Sequence, residues 1–331
     1  MKKVLILILL LILQNSYAQN PNLGASGAQF LQIPIGSRAE AMGGATVGLT
    51  DDASSVFWNP AGIVKVNNLQ VFFSYINWFE LFDLNAASVV YNAGDLGAFG
   101  ASMIVFSTGK MEITTETQPN GTGRFFDAND IALGISYARY LTDRFNVGLS
   151  VKYVHQRIWN ETSSGIAFDI GTQYRLDFQN LTIAMAMTNF GGDLKFDGPD
   201  LDFTHRKDDN FPLSRLTPSR LTTEEYPLPL NFQVGIGFDV FEIEFIKMKG
   251  AIDVTHPNDN RERAHFGTEF SFFDRLYLRS GYKLNYDDQN VTFGAGVNLL
   301  WGGNAVYFDY AYSVYDVLPA VHRISLKLSL L

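Results

Sequence analysis

Val321–Leu331 reads VHRISLKLSLL and alternates along nearly its whole length. Ile324, Leu326, Leu328 and Leu330 fall on one face of an extended chain, and Arg323, Ser325, Lys327 and Ser329 on the other. NVTFGAGVNLL, at Asn290–Leu300, repeats the pattern with Val291, Phe293, Ala295, Val297 and Leu299 against Thr292, Gly294, Gly296 and Asn298. Phe232, Val234, Ile236 and Phe238 oppose Gln233, Gly235, Gly237 and Asp239, and Phe266, Phe270 and Phe272 oppose His265, Glu269 and Ser271. A period of two marks strands with one apolar and one polar face. The apolar face would meet a core in a soluble sandwich and lipid in a membrane barrel, so alternation alone does not choose between them.

Length and loops do. Working back to Leu69 gives fourteen strands: Leu69–Ile76, Leu84–Asn92, Gly97–Phe106, Ala128–Tyr140, Phe145–Gln156, Ser163–Arg175, Leu181–Asn189, Pro229–Val240, Glu244–Thr255, Arg263–Phe272, Leu276–Asn285, Asn290–Leu300, Asn304–Tyr315 and Val321–Leu331. A tilted strand crosses a bilayer in about 9–11 residues, the length of most of these, whereas soluble strands centre on about 5–6. Alternate connections are all short: Ala93–Leu96, Leu141–Arg144, Leu176–Asn180, Phe241–Ile243, Phe273–Arg275 and Trp301–Gly303. The long ones, above all Ser107–Asp127 and Phe190–Leu228, fall in the other set. Short turns at one end and long loops at the other are the pattern of an outer-membrane barrel. The fold class predicted is all-β: a transmembrane antiparallel barrel of about 14 strands, with Trp78 and Trp159 at the outer and Trp301, Tyr140 and Phe145 at the inner membrane interface.

Composition agrees. The chain has 331 residues, 14% aromatic with 27 Phe and 15 Tyr, and 29 Gly. A net charge of −9 argues against a nucleic-acid partner. There is no Cys, which excludes disulfides and thiolate metal sites. Lys2-Lys3, the apolar run Val4–Leu13 and Ser16-Tyr17-Ala18 form an export signal with cleavage after Ala18. The expected division is 1–18 signal peptide, 19–65 plug or hatch, and 66–331 barrel, with both termini periplasmic.

The hatch assignment rests on Phe30–Lys65, FLQIPIGSRAEAMGGATVGLTDDASSVFWNPAGIVK. It lacks sustained alternation. Arg38–Met42 suits one helical turn, stopped by Gly43-Gly44. In Asn59-Pro60-Ala61-Gly62, Pro60 keeps Asn59 out of the helical region and Gly62 permits a positive φ. A fourteen-strand lumen is too wide for wall side chains to fill, since about eight strands is the number they can close. Arg38 and Asp51 or Asp52 are therefore expected to pair with lumen charges among Asp169, Asp239, Glu269, Asp309, Lys152, Arg279, Lys283, Arg323 and Lys327. An ordinary N-terminal domain edge is the plainer alternative.

Phe30-Leu31-x-Ile33, Ser37-Arg38-Ala39, Ala41-Met42-Gly43-Gly44-Ala45, Asp51-Asp52-Ala53 and Trp58-Asn59-Pro60-Ala61-Gly62 together resemble the N-terminal signature of the PorV/PorQ family. These are FadL-like outer-membrane barrels associated with type IX protein secretion. The resemblance implies a non-enzymatic barrel that meets outer-membrane lipid and either secretion-system proteins or exported cargo. Asn-Pro-Ala-Gly alone also resembles the hatch of FadL-type channels for hydrophobic small molecules. Arg38, Met42, Gly43, Gly44, Asp51, Asp52, Asn59, Pro60 and Gly62 are the positions that carry the motif.

Little points to chemistry. His155, His205, His256, His265 and His322 share no metal-ligand spacing, and there is no Gly-x-Ser-x-Gly elbow or phosphate loop. No catalytic, metal or cofactor residue is predicted. A Ser/His pair on neighbouring strands is invisible at this level. Phe190–Leu228 is rich in Asp and Pro and too polar to cross a membrane; it reads as a solvated loop, with a partner-binding lid as its functional alternative. Its carboxylates lack the spacing of a calcium loop.

Overall fold

The computed structural model describes residues 23–206 and 216–330; residues 1–22 with the expected export signal, residues 207–215 of the long loop and Leu331 lie outside them. Among the described residues sixteen strands form: β1 Leu69–Trp78, β2 Phe82–Asn92, β3 Ala98–Glu112, β4 Phe125–Thr142, β5 Phe145–Ile158, β6 Glu161–Arg175, β7 Thr182–Gly191, β8 Asp202–Arg206, β9 Leu216–Arg220, β10 Asn231–Ile243, β11 Ile246–Pro257, β12 Arg263–Phe272, β13 Leu276–Leu284, β14 Gln289–Trp301, β15 Asn304–Tyr315 and β16 Val321–Leu330. Fourteen of them close a barrel in which each strand pairs with its sequence neighbour, β7 pairs with β10, and β16 returns to β1. The expected count and strand positions hold. β8 and β9 form a separate hairpin inside the long loop. Ser107–Asp127 holds extensions of both neighbouring strands, since Lys110, Met111 and Glu112 pair with Asp127, Phe126 and Phe125 past a bulge.

Period two sorts the residues as expected. On β16, Ile324 and Leu326 are 41% and 43% exposed, whereas Arg323 and Ser325 are 0% and 2%. The apolar face is outside, and the polar face is buried within the barrel. Closure leaves no unpaired edge in the hydrocarbon. Among the aromatics proposed for the membrane interfaces, Trp301, Tyr140 and Trp159 are exposed. Trp78 is a correction: it turns inward and packs on Phe79 and Tyr315, with Arg323 over its ring. Its even-numbered position puts it in phase with the buried Phe72, Ser74 and Ile76 of β1.

The N-terminal segment runs through the lumen. It comprises a 3-10 turn at Gln29–Gln32, a short helix α1 at Ser37–Ala41, and 3-10 turns at Ala53–Phe57 and Pro60–Lys65. It begins at the long-loop end, where Gly24 N donates to Asp259 O between β11 and β12. It leaves at the short-turn end, where Asn92 Nδ2 holds the carbonyls of Val64 and Val66 at 2.9 and 2.8 Å. Gly24 and Leu330 therefore lie at opposite ends of the barrel.

Inward residues of β16 now carry a different expectation from a bare lumen wall. Ser325 Oγ accepts from Ser37 N at 2.9 Å and contacts Ser74 Oγ at 3.2 Å, so the site has no room for a long side chain. Leu326→Arg should cost about 2–4 kcal/mol if the residue lies near the bilayer midplane. Ser325→Arg should be comparably damaging and Ser325→Ala mild, as read from refolding titrations into lipid. A Leu326→Arg variant with unchanged stability would contradict the assigned faces.

Candidate functional site

A segment without sheet partners, buried in a barrel, must find partners for its peptide groups. The polar face of the wall supplies them. Asp253 Oδ2 on β11 accepts from Thr46 N at 2.7 Å and Val47 N at 2.9 Å. Gln173 Nε2 on β6 donates to Val47 O and Thr50 O, each at 3.1 Å. Asn146 Nδ2 on β5 donates to Ala61 O at 2.6 Å, and Ser88 Oγ on β2 to Ala53 O at 2.7 Å. Gln70 Oε1 on β1 accepts from Ala53 N at 3.1 Å.

Charges fix the same segment in two groups. At the short-turn side, Arg38 Nη1 meets Asp51 at 2.6 Å and Arg38 Nε meets Glu269 of β12 at 2.9 Å. Arg279 then joins Glu269 to Asp309 at 2.7 and 2.6 Å. Lys327 meets Asp52 at 2.8 Å. Arg38 and Asp52 thus meet lumen charges foreseen for the segment, Glu269 and Lys327, whereas Asp51 pairs with Arg38 within it. Asp52 also caps the turn that follows it, accepting from Ser54 N at 2.9 Å, with Ser55 Oγ reaching back to Asp52 N at 3.2 Å.

Glu40 forms the second group, and sequence reasoning passed over it. It is fully buried on α1. Its carboxylate takes Lys283 Nζ at 2.9 Å, Gln289 Nε2 at 2.6 Å and Ser313 Oγ at 2.7 Å, with Arg323 Nη1 at 3.4 Å. Four wall strands, β13 to β16, converge on one side chain. Burial would push this carboxyl up, but Arg323 and Lys283 outweigh it and hold the group down, from 4.5 to about 2. The only sequence signal was a lone acid on a predicted helical turn opposite unassigned lumen cations.

The motif glycines and their neighbours have separate physical reasons. α1 ends as expected: Gly43 and Gly44 take φ of 69° and 82°, and Gly44 N returns to Ala39 O at 2.9 Å, a Schellman closure. Met42 at its C-cap is buried against Ala45, Ala251 and Leu49. Asn59 is extended before Pro60, accepts from Ala61 N at 3.1 Å and donates to Thr172 O at 3.2 Å. Gly62 is a correction. It does not adopt a positive φ but sits within a 3-10 turn, where a Cβ would come within 2.7 Å of both Thr50 Oγ1 and Ser55 Oγ. The need is space, not backbone freedom.

The wall meets the segment with glycines too. A Cβ on Gly281 would strike Gly43 N, and one on Gly148 would strike Ala61 N and the Pro60 carbonyl. Backbone lies against backbone there.

Three voids lie beside the segment. One, of about 360 Å³ at the short-turn end, is lined by charged groups including Arg38, Asp51, Lys249 and Glu269. A second, of about 750 Å³ at the long-loop end, has largely apolar walls that include Phe30, Trp78, Phe106, Phe196, Tyr226 and Leu318. Phe196 and Tyr226 come from the long loop, where Leu194 and Tyr226 exchange backbone hydrogen bonds. That loop roofs the chamber as well as meeting solvent. Residues Gln32–Pro34 separate the chamber from a smaller interior void of about 110 Å³. Among the described residues no group of three or more His, Cys, Asp or Glu could hold a metal ion.

Glu40→Ala leaves Lys283 and Arg323 buried without their acid and should destabilise the protein by about 3–5 kcal/mol. Because the Glu40 carboxyl is lowered in the folded state, its contribution is present above the ordinary carboxylate range. It is lost as pH falls from about 4.5 toward 2. Protection factors at α1, each referred to the intrinsic exchange rate at its own pH, should therefore fall over that window in the native protein more than in Glu40→Gln. Gly281→Leu should displace Gly43 from the wall and expose α1 to protease in folded barrels; retained protection would place the segment elsewhere.

A family model described as type IX secretion system protein PorV matches residues 16–257, well over half of the chain. No curated protein matches it in sequence. Among solved structures, the Ralstonia pickettii toluene transporter TbuX aligns at 13% identity and TM-score 0.55, covering 88% of this chain and 96% of that one. The Pseudomonas putida toluene transporter TodX aligns at 14% and 0.56, covering 88% and 96%. A Pseudomonas aeruginosa FadL homologue aligns at 12% and 0.56, covering 89% and 98%. At these identities the structural likeness establishes a shared barrel fold. The chain is an outer-membrane β-barrel, and it belongs to the PorV family.

Proposed function

We propose that the protein serves type IX protein secretion, meeting secretion-system proteins or exported cargo at the outer membrane, and that residues Gly24–Val66 act as a fixed plug. The observation that carries this reading is the lumen. A solute channel needs a continuous path, whereas here the peptide groups of the segment are bonded to the wall from β1, β2, β5, β6 and β11. Its charges are neutralised by wall charges. What remains for contact is the long-loop end, where the hairpin β8–β9 presents Phe203 and Leu216 to solvent at 44% and 52% exposure. Membership of the PorV family supports secretion as the process. The role asks for no catalysis in the lumen, and no cofactor. On this reading the long-loop end faces the cell exterior and the short turns face the periplasm.

A second reading, a channel for hydrophobic small molecules, is favoured by one observation: the 750 Å³ apolar chamber. The two diverge in experiment. The intact protein should be nearly non-conducting in planar bilayers, and removal of residues 30–50 should raise single-channel conductance in a barrel that still assembles. A tagged copy drawn from solubilised outer membranes should bring secretion-system proteins with it. Recovery of the barrel alone, together with protein-dependent uptake of an apolar probe into vesicles, would overturn the secretion reading in favour of the channel.

A further inference from the structure

Facing lipid, on the outside of β5 and β6, one serine and one histidine stand in contact. His155 and Ser164 are register partners across the two strands. His155 Nδ1 lies 2.8 Å from Ser164 Oγ. Tyr153 OH donates to the same oxygen at 3.1 Å, so the serine's own hydrogen is free for an unprotonated Nδ1. The Tyr153 and His155 rings are nearly parallel, 12° apart with centroids at 6.3 Å, which holds the imidazole plane against its neighbour.

The depth of the pair gives it meaning. On the short-turn side lie the lipid-facing Leu149, Val151 and Ile166, each exposed. On the long-loop side the Arg157–Asp127 ion pair, at 3.0 Å, marks the aqueous rim. Ser164 and His155 sit between the two, at the level where an apolar band gives way to charge. In a bilayer that level holds the carboxylic esters joining acyl chains to headgroups. A nucleophile with an adjacent base at hydrogen-bond distance is the minimal unit of acyl transfer.

We propose that Ser164 and His155 form an acyl-ester hydrolysing site for membrane lipids, open to the outer face of the barrel and separate from the lumen. Ser164 Oγ attacks the ester carbonyl carbon and its proton passes to His155 Nδ1. The Tyr153 hydroxyl lies close enough to donate to the oxygen that gains charge. The carbonyl–alkoxy bond breaks, and the leaving alcohol takes the proton from His155. Water then attacks the acyl-serine, returns a proton through His155 to Ser164 Oγ, and releases the fatty acid. Among the described residues no carboxylate hydrogen-bonds His155, so turnover is slow beside that of a full triad.

The test uses the whole mature chain folded into phospholipid vesicles, with a fluorophosphonate probe for the serine and a dye-labelled phospholipid for acyl release. Labelling should map to Ser164 and vanish in Ser164→Ala. Acyl release should fall to the level of protein-free vesicles in that variant and by about a hundredfold or more in His155→Asn. His322→Asn serves as the control. His322 occupies a similar rim position and pairs with Tyr310 rather than a serine, at 2.7 Å; its loss should change neither readout. Heat-modifiable migration on gels confirms that each variant is folded. Labelling that persists in folded Ser164→Ala, or acyl release no faster than from protein-free vesicles, would overturn the proposal. Neither outcome bears on the secretion reading.

Discussion

Everything inside this barrel follows from one requirement: a buried peptide group needs a partner. Strands meet it by pairing with strands. The N-terminal segment has no strand beside it, so its carbonyls and amides reach the side chains of the wall. That is why the inner face carries Asp253, Gln173, Asn146 and Ser88 at the points where the segment passes. The same requirement extends to charge. Glu40, fully buried, would be intolerable alone, and four strands contribute groups to it. Wall and segment are thus two halves of one hydrogen-bonding system, and neither composition makes sense without the other.

This bears on how a shared architecture hosts different roles. The barrel shares its fold with the toluene transporters TbuX and TodX, yet the likeness is in the wall. Transport properties depend on what crosses the middle and how tightly it is held. Here the middle is held by ion pairs on one side, by main-chain hydrogen bonds around the circumference, and by glycine contacts where no side chain fits.

Much of the wall was legible in the sequence. Alternation gave the faces, strand length gave the membrane, and the parity of connections gave the ends, because each is a property of the strand itself. The pairing of Arg38 and Asp52 with lumen charges was also legible, since an isolated buried charge must find a partner; Asp51 instead pairs with Arg38. The importance of Glu40 was not. Its meaning comes from Lys283, Gln289, Ser313 and Arg323, which lie some 240 to 280 positions away and converge only when the barrel closes. Trp78 was misassigned because position near a strand end was read without its phase. Gly62 was misassigned because glycine in a turn suggests backbone freedom, when the cause was the absence of a side chain. Ser164 and His155 lie on separate strands, and only the register sets them side by side.

The glycine contacts carry a further consequence, for which substitutions the wall can accept. Gly281 and Gly148 admit the main chain of the segment at two separated places on the wall, where a Cβ would meet backbone within 2.0 and 2.4 Å. A backbone atom cannot turn aside as a long side chain can, so any larger residue there must move wall and segment apart. Variation is open where the wall meets lipid or solvent and closed where two main chains touch.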